Sequence, residues 1–166
     1  MNSSQISIRE ATPEDLAFLS RNGDLLARQH HAYDPIRFVL FEPSDVAFTR
    51  FFAEQMASDD VTFLIAMAGE EPVGYAFLRR EPDSLVDLAG PCVWLHDLFV
   101  AESARGQGAG ALLIDAAKAA ARSMGSPALM LSVAAQNTVA RGLFEAHGFR
   151  VTMHEMRVDF ETESPA

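Results

Sequence analysis

Arg105-Gly106-Gln107-Gly108-Ala109-Gly110 is the stretch whose residue types and spacing speak most directly to chemistry. Glycines at alternate positions let main chain approach a ligand closely and take turns that side chains forbid. The alanine-rich run that follows reads as a helix, and a helix N-terminus leaves its first N–H groups without intrahelical partners. A glycine loop feeding such a terminus suits an anion, a phosphate above all. Three other readings compete on the loop alone. A dinucleotide fold wants G-x-G-x-x-G early in a βαβ unit, whereas here the spacing is G-x-G-x-G and comes late. A nucleoside-triphosphate loop needs a lysine and a hydroxyl residue after the last glycine, and none follows. A tight turn with no ligand is the third.

The elements that must position this loop can be read from periodicity. Val93 to Val100 is an apolar strand leading into it, and residues 109–124 form the helix leading out. Upstream, Ile6-Ser7-Ile8-Arg9 alternates as a short strand. Thr12-Pro13-Glu14-Asp15 opens a helix, with a capping hydroxyl, a proline in the first turn and acids at the positive end of the dipole. Leu16, Leu19, Leu25 and Leu26 give that helix its apolar face, Gly23 weakens its middle, and the segment His30 to Pro35 ends it. A second helix starts at Ser44 with Phe48, Phe51, Phe52 and Met56 on one side. Val61 to Met67 and Val73 to Arg79 form a hairpin, and a polar connection spans Glu81 to Gly90. Downstream come a short strand from Ala128 to Val133, a helix from Asn137 to Ala146 stopped by His147-Gly148, and a last strand from Phe149 to Val158. The tail Glu161 to Ala166 is expected to be loose. The order β-α-α-β-β-β-α-β-α-β predicts an α/β (α+β) fold: a mixed, mostly antiparallel sheet with helices on both faces.

Bulk properties narrow the class. The 166 residues suit a single domain spanning 1–166, with a core over about 5–160. A net charge of −10 disfavours nucleic acid or an anionic membrane as partner and is compatible with a cationic substrate. The single cysteine, Cys92, forms no internal disulfide, and no Cys/His set has metal-site spacing, so no metal is expected. No apolar run approaches the ~18 residues of a membrane span, and the N-terminus lacks a secretory pattern. A cytoplasmic protein is the expectation.

Two motifs in register then favour one reading of the loop. Leu98-Phe99-Val100 followed by Arg105-x-x-Gly108-x-Gly110 is similar to the acetyl-CoA motif of the GCN5-related N-acetyltransferase (GNAT) superfamily. Asn137-x-x-Ala140-x-x-x-Phe144-x-x-x-Gly148-Phe149 resembles that superfamily's second motif. The resemblance covers about Val93 to Phe149; the N-terminal half agrees in element order only. It implies an enzyme that moves an acetyl group from acetyl-CoA to a primary amine of a small molecule or peptide by direct attack. It implies that main-chain groups of Leu98, Phe99 and Val100 pair with the pantetheine arm, as an added strand would. The N–H groups of Gly106, Gln107, Gly108, Ala109, Gly110 and Ala111 would cradle the pyrophosphate, with Arg105 at the loop entrance. Asn137 would reach coenzyme A, and Ala140, Arg141 and Phe144 would line its path. The strand of 93–100 would splay from that of 128–133, with the thioester in the wedge.

Direct transfer also needs a base for the amine and an acid for the thiolate. His96 is the candidate base, two residues before Leu98, where the resemblance implies a His or Glu facing the acceptor; a hydrogen-bonded histidine within the sheet is the bland alternative. Asp97 is the second candidate. It faces the other way on a regular strand, and a bulge changes that face. Phe144 departs from the superfamily pattern, which has a tyrosine there as acid; a water, Tyr33 or Tyr75 could take its place, or the protein could hold acyl-CoA without turnover. His30, His31, Tyr33, Asp34 and Phe38 fall where the resemblance implies one wall of the acceptor pocket, an ordinary helix-end loop being the alternative. The negative charge leans toward a polyamine, an aminoglycoside, another amino compound or a basic peptide terminus. A homodimer is implied by resemblance.

Overall fold

The computed structural model describes residues 5–160, and the tail expected to be loose lies outside them. Its centre is one five-stranded sheet in the order β1 (Ile6–Glu10), β2 (Val61–Ala68), β3 (Glu71–Glu81), β4 (Cys92–Val100), β5 (Leu129–Met130). The first four strands run antiparallel to their neighbours, and β5 runs parallel to β4. Four helices complete the fold: α1 (Leu16–Tyr33), α2 (Ser44–Met56), α3 (Ala109–Ser123) and α4 (Thr138–Ala146). A tight turn at Gly69-Glu70 joins β2 to β3 and pairs Ala68 with Glu71, whereas α1 and α2 separate β1 from β2 and α3 separates β4 from β5.

Strand alternation divides the core between the two faces. Leu64, Ala66, Ala76, Leu78, Val93 and Leu95 meet Leu113, Ile114 and Ala117 of α3 on one side. Phe63, Ile65, Tyr75, Phe77 and Phe99 meet Leu19 of α1 and Phe52 of α2 on the other. Phe52 is completely buried and touches Phe63, Tyr75 and Phe77 edge-on. Burying such a ring contributes about 1.5–3 kcal/mol. Gly23 is where α1 crosses it: a Cβ there would sit 2.7 Å from the Phe52 ring and 2.9 Å from Phe48. The missing side chain, read from sequence as a weak point of the helix, is what lets α1 and α2 approach. Leu25, assigned to the apolar face of α1, is instead about half exposed. Leu16, Leu19 and Leu26 keep helical spacing on the buried side, and Leu25 sits one residue off it.

The C-terminal region differs from expectation. Asn137 is the N-cap of α4 rather than its first residue, and β5 is only two residues long. The final strand expected over Phe149 to Val158 is absent; residues 149–160 run outside the sheet. The segment is held elsewhere. Glu155 pairs with Arg37, and Arg157 donates to the Ile36 carbonyl (2.9 Å), so it lies against the loop between α1 and α2. Alternation of apolar residues marks a segment able to pair, but here the sheet offers it only a two-residue edge.

Candidate active site

The glycine loop bridges β4 and α3. Gly106 and Gly108 hold φ of 72° and 86°, a left-handed region costly to residues with a Cβ, and an added Cβ at either would meet open space. Gly108 is the N-cap of α3 and offers no side chain to cap it. The first intrahelical bond runs from Leu112 N–H to the Gly108 carbonyl, so the N–H groups of Ala109, Gly110 and Ala111 lie in the turn before the ladder begins. Gln107 N–H is bonded within the loop, to the Ala104 carbonyl (3.4 Å), while Gly106 and Gly108 put no side chain over the turn. These residues fit a pyrophosphate by donor type and by space. Arg105 sits at the entrance, its Nε donating to the Val100 carbonyl (3.2 Å).

The strand that leads to this loop opens on one side. Among the described residues β4 and β5 pair only through Val93–Leu129 and Trp94–Met130, and the edge from Leu95 to Val100 has no strand beside it. The other edge of β4 pairs with β3 as far as Val100. Leu98, Phe99 and Val100 therefore border a wedge in which an extended, amide-bearing chain would find main-chain partners. Asn137 is the N-cap of α4. Its Oδ1 accepts from Ala140 N–H (3.2 Å), which leaves its amide nitrogen available. Ala140 packs partly buried, Arg141 reaches Glu145 (2.8 Å), and Phe144 is buried against Phe149.

A bulge decides where the candidate bases point. Phe77 pairs with Asp97 and Leu78 with Leu95, so His96 is an extra residue in β4. Before the bulge, Val93 and Leu95 face α3; after it, Leu98 and Val100 do. His96 and Asp97 consequently share the opposite face, toward α1 and α2. His96 stacks on Phe77 with ring centroids 5.1 Å apart, and its Nε2 lies 3.0 Å from Glu81 Oε1. With Nε2–H given to the carboxylate, Nδ1 carries the free lone pair. Glu81 is a partner that sequence reading missed, because pairing between β3 and β4 depends on register. Asp97 is half-buried and accepts from the Tyr75 hydroxyl (2.9 Å). Burial pushes the Asp97 carboxyl above its ordinary range, opposed by the Tyr75 bond and by nearby His96 and His30. Tyr75 is wholly buried, and burial together with the Asp97 charge pushes its phenol well up.

The acceptor-side candidates come together at the end of α1. His30 Nδ1 donates to the Leu26 carbonyl (2.8 Å). Its ring meets Tyr33 and Phe38 edge-on at 6.0 and 5.1 Å. His31 Nδ1 donates to the Phe38 carbonyl (2.8 Å), and Asp34 Oδ1 accepts from the N–H groups of Ile36 and Arg37. His31 and Asp34 thus shape the loop, while His30, Tyr33 and Phe38 present rings. Behind them Ser44, almost fully buried, ties α2 to Asp24 and Arg28 of α1. Two surface hollows, about 210 and 410 Å³, lie along α3, and neither is lined by His96, Asp97 or the glycine loop. Among the described residues, no group of three or more His, Cys, Asp or Glu could hold a metal ion. No helix among them is long and apolar enough to cross a membrane.

Comparison with known proteins bears on the same region. Residues 26–149 match the model of the acetyltransferase (GNAT) family. Over 77 residues the chain is 40% identical to a mycothiol acetyltransferase of Jonesia denitrificans, covering 46% of this chain and 23% of that protein. The chain thus spans under a quarter of the length of that relative. A tetramutant of the BH1408 protein from Bacillus halodurans superposes with a TM-score of 0.80 at 23% identity, over 93% of this chain and 99% of that one. The aminoglycoside N-acetyltransferase AAC(6')-Iy, solved in complex with CoA, superposes at 0.71 and 22% identity, over 97% of each chain. The last two likenesses speak to the fold.

Proposed function

Because the chain belongs to the acetyltransferase (GNAT) family, we propose that it transfers an acetyl group from acetyl-CoA to a primary amine of a small molecule or peptide by direct attack. The observation that carries this reading is the open edge of β4 running into an uncapped, glycine-lined helix start. The edge offers a strand's worth of main-chain partners to a pantetheine arm, and the loop offers donors to its pyrophosphate. The CoA-bound aminoglycoside acetyltransferase of the same fold supports both, and a small-molecule amine as acceptor.

Acetyl-CoA supplies an activated acyl group on a tolerable leaving thiolate. In this reading the chain does the rest. Leu98 to Val100 and residues 105–111 hold the donor, with Asn137, Ala140, Arg141 and Phe144 along its path. His96, oriented by Glu81, accepts a proton from the acceptor ammonium at Nδ1. Asp97 attracts the cation to the same face. His30, His31, Tyr33, Asp34 and Phe38 form one wall of the acceptor pocket. The reading includes a cytoplasmic protein and a homodimer, the latter supported by the exposed apolar side chains of Met153, Met156, Val158 and Phe160.

Two measurements test it. Coenzyme A at millimolar concentration is expected to raise the melting temperature, since a ligand of the folded state stabilises by mass action. A thiol-release screen over a panel of amines is expected to find turnover. No shift with CoA sinks donor binding. Tight CoA binding with silence across the panel favours the second reading, an acyl-CoA sensor, which the buried Phe144 at the position of the family's acid motivates.

A further inference from the structure

We propose that the hollow at the C-terminal end of α3 is a second anion site, separate from the glycine loop, and that it takes a small phosphomonoester. The chain carries 13 lysine and arginine residues against 23 acids. Most of the arginines hold a carboxylate, as Arg9 holds Asp15 and Arg141 holds Glu145. Lys118 and Arg122 are exceptions, for neither pairs with a carboxylate among the described residues. Both line one hollow of about 210 Å³, and no described Asp or Glu lines it with them. Two cations that meet without a carboxylate, on a chain of net charge −10, make a local positive potential that suits an anion.

The competitor for those cations is the helix end itself, since carbonyls at a C-terminus attract positive charge. Here the chain caps those carbonyls with its own donors. Met124 N–H bonds the Ala120 carbonyl, Ser126 N–H that of Ala121 and Gly125 N–H that of Arg122. At the end of α4, the N–H groups of Phe149 and Gly148 take the Phe144 and Glu145 carbonyls. Arg80 Nη2 donates to the Met124 carbonyl and Lys118 Nζ to the His147 carbonyl, each at 3.0 Å. The second bond holds the half-buried Lys118 ammonium at the hollow and uses one of its three donors. Arg122 is exposed, and its planar fork of N–H donors matches a phosphoryl group.

The remaining walls set the body of the ligand. Pro127, Leu129 and Phe149 line the hollow beside the cations, so a small organic group packs there while its phosphate meets Lys118 and Arg122. The place is also distinct. α3 has 15 residues, so at about 1.5 Å per residue the hollow is roughly 20 Å from the glycine loop at the other end. It backs on β5 instead: Leu129 pairs with Val93, and Ser126 Oγ accepts from Val93 N–H at 2.9 Å. A ligand there joins the end of α3, the start of β5 and the end of α4.

The test titrates phenyl phosphate into the full chain and follows amide chemical shifts. The signals of Ser126, Leu129 and Gly148 report on the hollow, and those of Gly106 and Gly108 on the glycine loop. The hollow's signals are expected to move and saturate together at millimolar phenyl phosphate. Arg122→Gln, at an exposed side chain, is expected to keep the fold and weaken that binding about 10–100-fold. Lys118→Met, which also leaves the His147 carbonyl without its donor, weakens it by as much or more. Inorganic phosphate, which lacks the ring, is expected to bind the hollow less tightly. Silence of the hollow's signals, or equal affinity in wild type and Arg122→Gln, overturns the site. Inorganic phosphate binding as tightly as phenyl phosphate overturns the phosphomonoester as its ligand. Acetyl transfer is untouched by either result, since the donor is held at the other end of α3.

Discussion

His96 and Asp97 are adjacent, yet they face the same side because one extra residue in β4 turns both toward α1 and α2. Their environments differ. His96 is partly exposed and tethered to Glu81, whereas Asp97 is half-buried with Tyr75 on its carboxylate. The tethered, accessible group suits proton transfer with a visiting amine. His96→Ala is therefore expected to lower kcat/KM by about 10²–10⁴-fold near neutral pH. The deficit should narrow as the pH is raised, because a neutral amine needs no base; a deficit constant across the pH range would remove His96 from the role. The conditional reading of Asp97 from sequence named the bulge as what would change its face, and the register supplies it. The partners Glu81 and Tyr75 were not legible, since a cross-strand contact depends on a register that residue types alone do not specify.

At the scale of elements, two junctions fix α1, one to β1 and one to α2. Arg9 of β1 and Asp15 before α1 form a bidentate pair at 2.7 and 2.8 Å, and Asp15 also accepts from Thr12 N–H. The Arg9 guanidinium, with help from that N–H, holds the buried Asp15 carboxyl below its usual range against the cost of burial. A depressed carboxyl contributes stability that is present above its unfolded pKa and lost as pH falls through the folded one. Asp15→Ala is expected to cost about 1–3 kcal/mol at neutral pH. In acid titrations its penalty should fade below about pH 4, toward parity with wild type; a penalty independent of pH would assign Asp15 a packing role only. The second junction is the α1–α2 crossing at Gly23. Gly23→Val forces the Phe48 and Phe52 rings aside and is expected to cost about 1–3 kcal/mol, read by chemical denaturation. A neutral result would mean that the crossing has slack. The amphipathic pattern identified both helices, but not that a glycine marks their contact.

At the scale of the whole molecule, the sheet ends in a two-residue strand while residues 149–160 lie outside it with Met153, Met156, Val158 and Phe160 more than 70% exposed. Exposed apolar side chains in one segment are a recurrent mark of association. Light scattering is expected to give a dimer mass, and Met156→Asp with Val158→Asp a monomer of unchanged fold; a monomer for wild type refutes the homodimer. The sequence by itself determined the element order to the end of α4 and the glycine loop, because strand and helix periods and glycine turns are local properties of the chain. Only the tertiary structure decided the wedge after Trp94, the common face of His96 and Asp97, the hollow that gathers Lys118 and Arg122 beside Phe149 and the absence of a last strand. Each of these depends on which segments become neighbours, and that is settled by packing across the whole core rather than by any stretch within it.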